Sequence, residues 1–75
     1  MTLEEFAKRV EERIARGGSA DDRVRRFVKS RWYRIESAYE DASDKASVPD
    51  DQKTFESEII TVSYAMSIDY RLASA

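Results

Sequence analysis

The sequence predicts an all-α fold, a small helical bundle in which a short first helix packs on a long antiparallel hairpin of two further helices. Three observations carry that expectation. Apolar residues recur every three or four positions through three segments, the period that lines one face of a helix. Cap and stop residues punctuate those segments: Thr2 and Ser19 precede two of them, Pro49 opens the third, and Gly17-Gly18 closes the first. The chain also has no Cys and no His among 75 residues. No disulfide, and no zinc site built on those residues, can brace so small a domain, so well-packed helices or a second chain must stabilise it.

The first predicted helix spans about residues 3–16. Thr2 and Glu5 have the spacing of a capping box, and Leu3, Phe6, Ala7, Val10 and Ile14 share one face. Arg13 and Arg16 suit the negative end of the helix dipole. Ser19 with Asp22 repeats the capping pattern and opens a second predicted helix, about 20–44. Its broad apolar face comprises Val24, Phe27, Val28, Trp32, Ile35, Ala38, Tyr39 and Ala42. Lys45 to Asp51 forms a break: Val48 is pushed out of the α region by the proline after it, and Pro49 suits the first position of a third helix.

The third segment reads in two ways. From Ile60 to Leu72 apolar and polar residues alternate, which is the period of a strand. The same residues carry a helical row, Phe55, Ile59, Val62, Met66, Tyr70 and Ala73. The helix is favoured because the chain offers no second strand, and an unpaired strand leaves its backbone groups unsatisfied. The alternative is a C-terminal strand, 59–72, paired between chains. On a helix the alternation splits into two rows, and Ile60, Tyr64, Ile68 and Leu72 fall about 160° from the first. A bundle buries one row, so these four form a candidate protein interface. The other reading is that the first helix docks on them.

Charge is uneven along the chain. Residues 1–37 carry ten Lys/Arg against seven Asp/Glu, and residues 38–75 carry three against eight. Arg23, Arg25, Arg26, Lys29, Arg31 and Arg34 surround Trp32-Tyr33, and phosphate contact with base stacking uses such residues. Arg25, Arg26, Lys29 and Tyr33 are therefore candidate nucleic-acid contacts, although the cations spread around the helix and the chain is acidic overall. Arg31 falls inside the apolar arc, where an unpaired charge is costly. Antiparallel pairing of the second and third helices brings Asp69 within its reach, so Arg31 and Asp69 form a candidate structural ion pair, within the chain or across a dimer. The acids Glu36, Glu40, Asp41, Asp44, Asp50 and Asp51 read as a solubilising tip, without the spacing of a calcium loop.

Without His or Cys, nucleophile–base catalysis through Ser–His or Cys–His is excluded. No catalytic site, cofactor or metal is expected. The acidic N-terminus is no secretory signal, and no apolar run approaches the ~20 residues of a membrane span. The expectation is a complete, small, cytoplasmic, non-enzymatic interaction module. It is expected to self-associate as a homodimer and bind a protein partner, as an accessory protein of a phage or mobile element does. The alternative is a small nucleic-acid-binding regulator using the basic second helix.

Overall fold

The computed structural model describes residues 1–46 and 51–74, and four helices occupy them. They are α1 (Leu3–Ile14), α2 (Asp22–Ser30), α3 (Trp32–Lys45) and α4 (Gln52–Ser74). Residues 59–72 are helical throughout, which overturns the inter-chain strand. As a helix the segment satisfies its own backbone and buries Phe55, Ile59, Val62 and Met66 as one row.

The start of α1 follows the expected local chemistry: Thr2 Oγ1 accepts the Glu5 N–H at 3.1 Å. Its end does not, because the helix stops at Ile14, two residues early. Arg16 takes the left-handed conformation at φ 59° and Gly17 follows at φ 80°. The Arg16 N–H donates to the Arg13 carbonyl at 3.2 Å and the Gly17 N–H to the Glu12 carbonyl at 3.3 Å. That pair of bonds is the Schellman closure, with an arginine where glycine usually sits.

The predicted second helix, 20–44, is in fact two. Ser30 Oγ donates to the Phe27 carbonyl at 2.7 Å, the acceptor that the Arg31 N–H takes in an unbroken helix. The Arg31 N–H turns instead to Val28 O at 3.1 Å, and its backbone leaves the helix at φ −121°, ψ 34°. A serine hydroxyl competing for the ladder is a recognised cause of a kink. The cap of α2 also differs from the Ser19–Asp22 expectation: Asp21 Oδ1 accepts the Val24 N–H at 3.0 Å. This bond, aided by the charges of Arg23 and Arg25, holds the Asp21 carboxyl below the usual carboxylate range.

The break at Arg31 also overturns the Arg31–Asp69 pair within the chain. The kink carries Arg31 off the buried arc, and its guanidinium lies 4.0 Å from the centroid of the Phe27 ring and donates to Ser30 Oγ. Asp69 pairs instead with Arg34, one turn further on.

After α3, Ala46 is extended. Val48, Pro49 and Asp50, on which the expected helix start rested, lie outside the described residues. The described helix begins at Gln52, where the Asp51 carboxylate accepts the Thr54 N–H at 3.2 Å and the Thr54 hydroxyl at 2.8 Å.

Pairs along the bundle give its directions. Arg34–Asp69 and Lys45–Glu58 set α3 antiparallel to α4. Tyr39 against Phe6 and Arg25 against Glu11 set α1 antiparallel to the α2–α3 arm, so α1 and α4 run the same way. Phe6, Tyr39 and Phe55 form an aromatic trio, with centroids 5.5 Å, 6.5 Å and 5.6 Å apart, that ties three helices at one end. At the other end Phe27 of α2 meets Tyr70 edge-on at 5.2 Å. The first helix therefore packs beside Phe55 and Glu56, in the N-terminal half of α4.

Candidate interaction face

With α1 and α3 as neighbours, α4 has one side left over. Phe55, Ile59, Val62 and Met66 point into the core, Glu56 reaches α1 through Arg9, and Glu58 and Asp69 reach α3. Opposite the core lie Ile60, Tyr64, Ile68 and Leu72, which are 44%, 73%, 43% and 73% exposed. Neighbouring helices do not cover this row. Ile60 lies at its edge, in a groove that also involves Arg9 of α1 and Gln52, Lys53, Glu56 and Ser57 of α4.

The polar residues around the row matter as much as the row itself. From Ile59 to Ile68 α4 holds no Asp, Glu, Lys or Arg, although 37% of the whole chain is charged. Between Ile60 and Ile68 the residues flanking the exposed row are Thr61, Ala65 and Ser67, and charge returns only toward its two ends, at the exposed Lys53 and Arg71. On α3, by contrast, the exposed positions include Glu36, Glu40, Asp41 and Asp44. Depletion of charge, more than apolar content, marks the centre of a protein contact. The exposed Tyr33 of α3 lines the α3–α4 groove together with Thr61 and Ala65, on the flank of this face.

The candidate nucleic-acid residues are not brought onto one surface. Arg25 faces α1, 3.9 Å from Glu11 and 3.4 Å from Asp22, and lines a cleft with Lys29, Trp32 and Glu11. Arg26 donates to the Asp22 carbonyl at 3.3 Å. Tyr33 lies beyond the kink, in the groove on the α4 side. Glu11, partly buried in that cleft, has its carboxyl pushed up by desolvation, which Arg25 and Lys29 only partly oppose.

Among the described residues no group of three or more His, Cys, Asp or Glu could hold a metal ion, and no helix is long and apolar enough to cross a membrane. One polar atom is stranded in the core: Ser63 Oγ is buried and has no hydrogen-bond partner among the described residues. Sequence reasoning passed over Ser63 because it lies between the two apolar rows. Comparison with protein-family models, curated proteins and solved structures gives no match.

Proposed function

We propose that this chain is a small non-enzymatic interaction module that associates with itself through the outer face of α4 and, so assembled, binds a protein partner. The observation that carries the reading is the four-residue apolar row on a helix face whose centre, from Ile59 to Ile68, holds no charge, in a chain otherwise rich in charge. A lone exposed Leu or Tyr is ordinary, but four in register over three helical turns form a patch of the kind used for contact. The basic arm does not support a nucleic-acid reading as well. Its cations are divided between two faces, and Arg23, Arg25, Arg26, Arg31 and Arg34 all engage the chain's own acceptors.

Light scattering after size exclusion tests the proposal. The expected mass at ~100 μM is that of a dimer, as a modest interface permits. Tyr64→Lys, which plants a charge at the centre of the face, is expected to return the chain to a monomer. A parent chain that scatters as a monomer at that concentration overturns self-association.

A further inference from the structure

The exposed row on α4 has a symmetry that narrows its occupant. Ile60, Tyr64, Ile68 and Leu72 are evenly spaced, and the middle of the row falls between Tyr64 and Ile68. A two-fold axis through that point and perpendicular to α4 maps the row onto itself with its order reversed. We infer that the occupant of this face is α4 of a second copy, laid antiparallel, so that Tyr64 packs on Ile68 of the second copy and Ile60 packs on Leu72 of the second copy. The inference rests on the self-association proposed above and adds the partner's surface and its direction.

Packing geometry agrees with a helix–helix contact. The row follows the i, i+4 ridge of the helix, and two such ridges interdigitate at about −50° in the commonest packing class of globular proteins. Leu72, 73% exposed near the end of α4, then arrives beside Ile60, at the groove formed with Arg9, Lys53 and Glu56. The same contact recurs at the other end of the row, as an isologous interface requires.

Charge decides the direction. The bundle is elongated, 40 Å by 21 Å by 16 Å. Residues 11–34 and 69–71, at the end where α2 packs on Tyr70, carry nine Lys/Arg against five Asp/Glu. Residues 4–9, 36–45 and 51–58, toward the end that holds the aromatic trio, carry four against nine. The uncharged stretch of α4 lies between these halves. A parallel pair sets cationic end against cationic end and acidic end against acidic end. The antiparallel pair sets each cationic end beside the acidic end of the other copy, which favours that orientation at encounter and in the complex.

Because the chain has no cysteine, single cysteines at exposed positions report the register directly. Ile60→Cys and Leu72→Cys are made in the full chain, one carrying a mass tag, checked for parental helix content, mixed and oxidised. In the antiparallel dimer position 60 meets position 72, while two copies of position 60 stand at least ~18 Å apart along the axis, too far to bridge. The expected result is a 60–72 disulfide in at least tenfold excess over 60–60 and 72–72. A dimer that yields 60–60 and 72–72 bridges, or none, overturns the antiparallel register while leaving self-association in place. A parent chain that is monomeric by light scattering overturns both.

Discussion

Ser63 offers the sharpest test of the packing. Its side chain is 3% exposed in the middle of α4, and its hydroxyl has no hydrogen-bond partner among the described residues. A buried hydroxyl left unpaired costs about 1–3 kcal/mol. Ser63→Ala removes that group, keeps the Cβ that packs, and gains about 0.5 kcal/mol of helix propensity. The expected stabilisation is about 2 kcal/mol, which for a domain of this size raises Tm by roughly 10 °C. Thermal and urea melts followed by circular dichroism at 222 nm, at one fixed protein concentration, measure it. Ser37→Ala, at an exposed position of α3, gives the propensity contribution alone, so the difference between the two variants isolates the hydroxyl. A Ser63→Ala chain no more stable than Ser37→Ala refutes the reasoning, because it shows that the hydroxyl is satisfied in the folded protein.

Three further outcomes test other parts of the fold. Arg16 adopts φ 59°, a conformation costing an L-residue about 1–2 kcal/mol. Arg16→Gly relieves that cost but loosens the unfolded chain, so a net gain of about 0.5–1 kcal/mol is expected in urea titration. Desolvation raises the Glu11 carboxyl, so the folded state holds that proton more tightly than the unfolded state does, and stability falls as pH rises from the unfolded value of about 4.3 through the folded one. Glu11→Gln is therefore expected to melt higher than the parent at pH 7, with the advantage vanishing at more acidic pH than that window. Finally, a double-mutant cycle of Arg34→Gln with Asp69→Asn is expected to show coupling of about 0.5 kcal/mol, the level of a partly exposed pair, and the same cycle on Arg31 none.

What the sequence made legible was periodicity, and what it hid was competition between neighbouring hydrogen bonds. Phe6, Val10, Ile35, Ile59 and Met66 stand in helical register, and all of them are fully buried. Ser30 breaks no pattern of apolar residues, so the kink it introduces by taking the Phe27 carbonyl is invisible in the hydrophobic stripe. The wrong partner for Asp69 follows from that one error, since an unbroken helix keeps Arg31 on the inner face while the kink removes it. The early end of α1 has a similar origin: Gly17-Gly18 marks the stop correctly, but the left-handed turn begins one residue sooner, at Arg16. At the candidate face the apolar row was readable from spacing. That α1 leaves it open was not, because where a short helix docks depends on pairings such as Phe6–Phe55 and Arg9–Glu56 between distant residues.

A helix face kept apolar for contact and one kept apolar for folding respond differently to the same substitution, and Tyr64 separates them. The side chain is 73% exposed and stands on the side of α4 away from the core row. Replacing it with lysine removes little buried area and improves helix propensity by a few tenths of a kcal/mol. If the face serves folding of the single chain, Tyr64→Lys lowers Tm in proportion to the apolar packing that the ring supplied. If it serves association, Tm in dilute protein, where monomer dominates, stays within about 3 °C of the parent, while the mass at high concentration falls to that of one chain. Concentration dependence sharpens the contrast: the parent's Tm is expected to rise with protein concentration, and that of Tyr64→Lys to be flat. A variant that melts well below the parent in dilute solution assigns the row to the folding core and removes the basis for reading it as an interface.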